Sequence, residues 1–194
     1  MGMIGIPFRV DVKETAEYTP QTEPGAMVTD LSRLKAAAVA ADEEEGCIIL
    51  GADTIVWQDR KALGKPADRE EARKMILMLQ GREHSVFTGV TVLKKHGASP
   101  EGYDILSQFF CETKVYVHRM SEEEIEAYLD TGEAYDKAGA YGIQGAFGIF
   151  VDRIEGDYNN VVGLPVAGVY QALREAGVID AASPADREGE KHDA

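Results

Sequence analysis

Apolar positions along the chain alternate between short strand-like runs and stripes with helical spacing. Apolar, β-branched and aromatic runs bounded by turn residues predict strands. The predicted strands are 5–12, 47–50, 55–57, 61–63, 84–95, 103–118 and 149–154. Apolar residues three and four apart predict helices, which begin at about Thr29, after Asp68, after Ser121 and at Pro165. The pattern therefore predicts interspersed helices and strands, with 55–57 and 61–63 as a hairpin and 84–95 and 103–118 as a long antiparallel pair.

Two of these helix starts carry capping signals. Asp68 is followed by Glu71 and Ser121 by Glu124, a spacing in which both side chains can satisfy free backbone N–H groups. A third pattern is a glycine at every third position of 139–148. Glycine lets backbone N–H groups approach a ligand closely, because no Cβ stands in the way. A tight loop packed under the sheet is the alternative, and the spacing leaves both interpretations open.

The chain has 194 residues and a mass of 21.1 kDa, which is the usual size of one domain. We predict a single domain over 1–180. The remaining 181–194 is rich in Ala, Asp, Glu, Ser, Pro and Lys, and such a composition cannot bury enough surface to remain ordered. We therefore expect a disordered acidic tail there.

Acidic residues outnumber basic ones by 34 to 20, which gives a net charge of −14. This charge repels nucleic-acid backbones and anionic lipid headgroups, so we expect no nucleic-acid and no membrane partner. An anionic substrate would need a few local cations, backbone N–H groups or a metal ion. The sequence shows neither a basic signal-peptide start nor eighteen consecutive apolar residues, so we expect a cytoplasmic protein.

One carboxylate and two lysines are the main candidates for catalytic or ligand-binding residues. Asp53 follows the apolar run 47–50, and α/β proteins gather ligands at the carboxyl ends of strands. A poorly solvated carboxylate there can hold a divalent cation or accept a proton from water, although a turn or cap residue is the alternative. Lys35 and Lys65 lie beside Gly-, Pro- or Ala-rich segments of an acidic chain, which strengthens the case for Asp53, although either lysine by itself is more often a solvated surface charge. Glu17 is a weaker candidate.

Several catalytic signatures are not found in the sequence, including the P-loop, HExxH, GxSxG and GxGxxG motifs. The four histidines and two cysteines lack metal-ligand spacing. The identity of any metal ligand therefore stays unknown at this point.

Five motifs, in order, resemble those of the Maf family of nucleoside triphosphate pyrophosphatases. The resemblance covers roughly 4–177. The motifs are Gly51-Ala52-Asp53-Thr54, Leu63-Gly64-Lys65-Pro66, 81–90, 136–145 and 160–165.

The resemblance implies an α/β fold in which helices flank an elongated mixed β-sheet and two lobes enclose a nucleotide cleft. It also implies hydrolysis between the α and β phosphates of a nucleoside triphosphate, giving the monophosphate and pyrophosphate. A divalent metal, expected to be Mg²⁺, would take part. The sequence does not give the oligomeric state, and a homodimer is kept as one hypothesis.

The resemblance also implies roles for individual residues. Asp53 matches the family's general base, which orients or deprotonates the attacking water. Lys35 and Lys65 match its phosphate-binding lysines, which neutralise charge on the leaving pyrophosphate; Lys65 is counted with the catalytic residues. Glu17 corresponds to an acidic residue near the metal and the water.

Two further positions are associated with base choice, Thr54 and Gln144. Segment 140–145 resembles the branch of the family that acts on dTTP and UTP. A glutamine amide both donates and accepts hydrogen bonds, as the edge of uracil or thymine requires. The alternatives are the same reaction on a modified purine or methylated pyrimidine, and a non-catalytic nucleotide-binding or regulatory protein.

The family's Ser-x-Ser-Pro-Arg-Arg segment has no counterpart in this sequence. Its arginines and helix N-terminus would hold the triphosphate. The hypothesis follows that Met1 is an internal methionine, that the domain is shortened at its N-terminus relative to the family, and that the chain without this segment is weakly active or inactive.

Overall fold

The computed structural model describes residues 2–15 and 18–180. The predicted tail 181–194 and the candidate Glu17 lie outside the described residues.

Strands of the described chain form one open sheet in which every neighbouring pair is antiparallel. The strands are β1 (Ile48–Gln58), β2 (Lys61–Leu63), β3 (Glu83–Lys95), β4 (Tyr103–Val117) and β5 (Val151–Glu155). Their spatial order is β2-β1-β3-β4-β5. The α/β class with helices flanking a sheet is confirmed, and the part of the sheet that the structure describes holds no parallel pair.

Helices cover both faces of the sheet. They are α1 (Pro24–Ala40), α2 (Arg69–Leu79), α3 (Glu122–Asp130), α4 (Tyr158–Val162) and α5 (Val166–Glu175), with 3₁₀ turns at Gly2–Ile4, Ala138–Ala140 and Ala146–Phe150. Helix α1 lies on one face, where Val28 packs with Ile55 and Phe87. The other face carries α5 at one end, and α2 and α3 at the other.

The hairpin, the long strand pair and the capping signals are confirmed. Strands β1 and β2 pair through a turn in which Asp59 and Arg60 have positive φ, and β3 pairs with β4 along almost its whole length. The Ser121 side chain accepts a hydrogen bond from the Glu124 N–H while the Glu124 carboxylate accepts one from the Ser121 N–H. Asp68 caps α2 by accepting from the N–H of Glu71.

One strand prediction is wrong and a second is wrong in its length. The segment 5–12 is no strand: Phe8, Val10 and Val12 are exposed, so the alternating pattern meets no sheet to pack on. The strand predicted at 47–50 runs on to Gln58, which places Asp53 inside β1 rather than after it. Gly51 follows an apolar run, as glycines at strand ends often do, but in the structure it is a buried residue within β1.

Two element starts also differ from the predictions. Helix α1 begins at Pro24 instead of Thr29, because proline is well accommodated in the first helical turn. The first residues of the strand predicted at 149–154 belong to a 3₁₀ turn, and β5 starts at Val151. None of the helices in the described ranges is both long and apolar enough to cross a membrane.

Candidate active site

A cavity of about 730 Å³ opens at the edge of β1. Asp53 and Thr54 are consecutive strand residues and point to opposite faces of the sheet, yet both line the cavity. This is possible only at a strand edge. Helix α1 forms one wall and 136–145 another, so the expected cleft is present.

The cavity collects the predicted site residues that the structure describes. They are Lys35 on α1, Asp53 and Thr54 on β1, Lys65 after β2, and Gln144 in the glycine-rich segment. Elements far apart in sequence therefore converge on one space. The roles of these residues in catalysis and binding stay predictions.

Lys35 and Asp53, which both line the cavity, form a direct ion pair. The Lys35 Nζ lies 2.5 Å from Asp53 Oδ1, and the Asp53 side chain is only 9% exposed. Burying a carboxylate is costly unless an opposite charge or hydrogen bonds compensate it. The ammonium group therefore compensates the cost of keeping an ionised Asp53 carboxylate largely buried in the cavity wall.

Thr54 belongs to a buried polar network on the face of the sheet opposite α1. This network fixes α4, which forms the cavity wall on that face. Its Oγ1 lies 2.9 Å from Thr88 Oγ1, which in turn donates to the Asn160 carbonyl oxygen. The Asn160 amide donates to the Val86 carbonyl oxygen and to Thr113 Oγ1, each at 3.0 Å. These bonds tie α4 to β1, β3 and β4. They hold the end of α4 against the cavity.

The cavity lining carries further charged side chains. Lys65 is exposed there, and the Lys137 Nζ lies 2.6 Å from Asp136 Oδ1. The hydrogen bond from Lys137, with a smaller contribution from Lys65, lowers the pKa of Asp136. Among the described residues, the cavity lining includes three lysines and two aspartates, a concentration of basic side chains in an acidic chain.

The glycine-rich wall is closely packed. At each of its glycines an added Cβ would meet protein atoms at less than 3 Å. The neighbours are the Val56 side chain at Gly139, the Lys137 stem at Gly142, the Glu133 carboxylate at Gly145 and the Ile143 carbonyl oxygen at Gly148. This favours the packing interpretation of the glycine repeat. Hydrogen bonds also tie the start of this segment to its neighbours: the Gly139 N–H donates to the Gly64 carbonyl oxygen, and the Tyr128 hydroxyl donates to the Ala140 carbonyl oxygen.

A buried histidine lies behind the same wall. His84 Nε2 is 2.7 Å from the hydroxyl oxygen of Tyr141, while His84 Nδ1 has no hydrogen-bond partner among the described residues. A buried ring nitrogen is less costly as an unpaired acceptor than as an unpaired N–H. We therefore assign the proton to Nε2, which donates to Tyr141 and fixes that cavity-lining ring.

Burial lowers the pKa of His84 to about 4, so the folded protein keeps this ring neutral. An unfolded histidine has a pKa of about 6.5. Between these values only the unfolded chain takes up the proton, so stability should fall by about 1.4 kcal/mol per pH unit as the pH drops from 6.5 to 4. Above 6.5 this contribution vanishes, because both states are neutral.

Urea unfolding of the wild type and of His84→Gln at pH 7.0 and 4.5 measures this contribution. The wild type should lose about 2 to 3 kcal/mol more than the variant over that interval. An equal loss in both proteins would show that His84 is not the group responsible.

The few carboxylates at this site fit a metal ion that binds together with the phosphates of the substrate. Within the described residues no group of three or more His, Cys, Asp or Glu side chains could hold a metal ion. Mg²⁺ is commonly bound by one or two carboxylates together with substrate phosphates. Asp53 can supply such a carboxylate oxygen, since its side chain lies in the cavity.

Sequence reasoning missed two kinds of residue at this site. Asp136 and Lys137 line the cavity, and their signal was their place in the motif 136–145, directly before the glycine repeat. Thr88 and Asn160 act through a network that joins distant elements; they lie in the motifs 81–90 and 160–165, but nothing in the sequence shows that they bond to each other.

Comparisons with known proteins identify the family of the chain. Residues 1–176 match the family model described as Maf-like protein. A dTTP/UTP pyrophosphatase of Caldanaerobacter subterraneus subsp. tengcongensis is 46% identical over 180 residues, covering 90% of this chain and 82% of that protein. The dTTP/UTP pyrophosphatase of Agathobacter rectalis is 44% identical over 187 residues, covering 90% of both chains. The chain therefore belongs to the Maf family.

Proposed function

We propose that this protein hydrolyses dTTP and UTP to the nucleoside monophosphate and pyrophosphate. The observation that carries the proposal is the Lys35–Asp53 ion pair, set in a cavity that also holds Lys65 and Gln144. Relatives at about 45% identity are named for this activity. The cavity supplies a base, cations for phosphates and a group for reading a pyrimidine.

In the proposed reaction a water oxygen bonds to the α-phosphorus and the bond from that phosphorus to the bridging oxygen breaks. Asp53 Oδ accepts the proton of the water, and the pyrophosphate leaves with the electron pair of the broken bond. General-base catalysis of this kind contributes about 10²- to 10⁴-fold. Phosphoryl transfer depends chiefly on positioning and charge stabilisation, which is the task of the surrounding lysines.

The lysines approach the phosphates from two sides. Lys35 reaches in from α1, and Lys65 extends from the segment after β2. Positive groups placed where negative charge develops stabilise the transition state. Since the chain carries a net charge of −14, these local cations also offset the long-range repulsion of a triphosphate.

Mg²⁺ is part of the proposal. Asp53 would hold it together with oxygen atoms of the triphosphate. The ion would neutralise phosphate charge and polarise the bond that breaks.

Gln144 is proposed to select the base. Replacing it with glutamate removes the amide donor and leaves only acceptors. A uracil carbonyl then loses its partner, whereas the exocyclic amino group of cytosine gains one. The ratio of kcat/KM for UTP to that for CTP should fall at least about tenfold in Gln144→Glu.

Steady-state kinetics with both nucleotides measure this ratio. Gln21→Glu is the matched control, since it makes the same change at an exposed position outside the cavity. An unchanged UTP/CTP ratio in Gln144→Glu would contradict the assignment.

A panel of nucleoside triphosphates tests the proposed function as a whole. The protein is expressed from its gene with any in-frame codons upstream of Met1, and release of pyrophosphate is measured with Mg²⁺. UTP and dTTP should be cleaved at least about tenfold more efficiently than ATP, GTP or CTP. Binding without cleavage would favour the non-catalytic alternative, and preference for a modified purine or methylated pyrimidine would change the substrate.

A further inference from the structure

Helix α1 lies unusually close to the sheet at two glycines. A Cβ built on Gly51 would lie 2.9 Å from the Ala36 backbone nitrogen and closer still to the Ser32 carbonyl oxygen. A Cβ on Gly89 would lie 2.6 Å from the Thr29 backbone nitrogen. These neighbours are helix backbone, which cannot move aside as the end of a side chain can.

The two glycines surround Asp53. Gly89 is its direct partner on β3, and Gly51 is two residues before it on the same face of β1. Neither glycine has a positive φ, so backbone conformation does not require them. The close approach of α1 is what requires a residue without a side chain at both positions.

A buried hydrogen bond secures α1 at the same place. Ser32 Oγ lies 2.8 Å from Thr91 Oγ1, and Thr91 pairs with Gly51 across the two strands. Both hydroxyl-bearing residues are fully buried. Lys35 follows Ser32 by one helical turn, and its ammonium lies 2.5 Å from Asp53.

We propose that Gly51 and Gly89 are positioning residues of the active site: they seat α1 so close to the sheet that Lys35 reaches Asp53 and the bound phosphates. This inference rests on the proposed function, in which Lys35 contacts the substrate. The glycines touch no reacting atom and act through Lys35.

The geometry sets the size of the expected effect. Ordinary van der Waals contact begins at 3.4 Å, so an alanine at position 51 or 89 moves the facing helix backbone outward by roughly 1 Å. A misplacement of about 1 Å in a catalytic group can reduce a rate about 10²-fold. Gly51→Ala should therefore lower kcat/KM for UTP by about 10²-fold.

A double-mutant cycle tests whether this loss passes through Lys35. The variants are Gly51→Ala, Lys35→Gln and the double variant, assayed well below their unfolding temperatures. If Gly51 positions Lys35, the Gly51→Ala loss should shrink to about threefold or less once the ammonium is gone. Equal losses in both backgrounds would overturn the inference, because they would mean that Gly51 serves the fold alone.

Gly168→Ala is the matched control. Its added Cβ would meet the Phe109 side chain at 2.8 Å, on the face of the sheet opposite α1. It should lower the unfolding temperature and leave kcat/KM near the wild-type value. A loss of about 10²-fold in this control would show that any packing defect impairs the enzyme.

Ser32→Ala keeps the inference testable if Gly51→Ala does not fold. It removes the hydrogen bond to Thr91 without adding volume. We expect kcat/KM to fall by about threefold to tenfold, and this loss to disappear in the Lys35→Gln background. A loss that persists there would contradict the inference.

Failure of the proposed function has a different signature. If the wild type releases no pyrophosphate from UTP or dTTP, or if Lys35→Gln keeps full kcat/KM, the function assigned to the cavity fails. If both behave as expected and the Gly51→Ala loss persists without Lys35, only the positioning inference fails.

Discussion

Replacing Asp53 with asparagine should reduce kcat for UTP hydrolysis by about 10²- to 10⁴-fold, the usual contribution of a general base. Asparagine has nearly the same shape and keeps an oxygen for the Lys35 ammonium, so the fold should survive. The amide cannot accept the proton of the attacking water. KM for UTP should rise less than kcat falls, since the lysines proposed to bind the phosphates remain and only one proposed Mg²⁺ ligand is weakened. Pyrophosphate release under saturating UTP measures the effect.

Asp59→Asn is the control for this change. Asp59 is exposed in the turn between β1 and β2 and pairs with Arg82, outside the cavity lining. Its activity should equal that of the wild type. If Asp53→Asn also retained wild-type kcat while folded, as judged by thermal unfolding, the base would have to be another group.

Replacing Lys65 with glutamine should reduce kcat/KM by about 10²- to 10³-fold, as expected when one preorganised donor to a developing negative charge is lost. Lys65 lines the cavity from the segment after β2, whereas Lys35 lies on α1. The proposed partner of Lys65 is the leaving pyrophosphate. Inhibition by pyrophosphate should therefore weaken more than inhibition by UMP.

Lys61→Gln supplies the matched control. Lys61 is exposed on β2 and does not line the cavity, so the same loss of charge there should leave kcat/KM and product inhibition unchanged. Equal weakening of pyrophosphate and UMP inhibition in Lys65→Gln would contradict a specific contact with the leaving group.

Much of the architecture could be predicted because its signals are local. The β3–β4 pair could be predicted because both segments are rich in the strand-forming residues Val, Phe, Tyr and Thr. The capping residues of α2 and α3 could be predicted because they act within one helical turn. The segment 5–12 shows the limit of such signals. Its alternation fits a strand, but a strand needs a partner, and the pattern of one segment cannot tell whether a partner exists.

Gly51 misled the sequence analysis for a related reason. A glycine beside an apolar run is typical of a strand end, and this interpretation placed Asp53 just after the strand instead of inside it. The actual requirement is the approach of α1, which starts 27 residues earlier in the chain. The cause is therefore tertiary, and only the folded chain reveals it.

The site was anticipated through the family motifs more than through physical patterns. The motifs indicated Asp53, Lys65, Thr54 and Gln144, and the wider family resemblance indicated Lys35; the structure brings these residues to one cavity. The Asn160 network that holds α4 in place joins segments more than 40 residues apart. Such long-range hydrogen bonds follow from the fold and leave no periodic trace in the sequence.

The backing behind the glycine-rich wall has a thermodynamic consequence. A surface that is already immobilised loses little conformational freedom when a nucleotide arrives, so less of the interaction energy is consumed in ordering it. The same stiffness prevents the wall from receding around a larger base. Under the proposed function, the shape of this preformed wall excludes the larger purines, and hydrogen bonding discriminates among the pyrimidines.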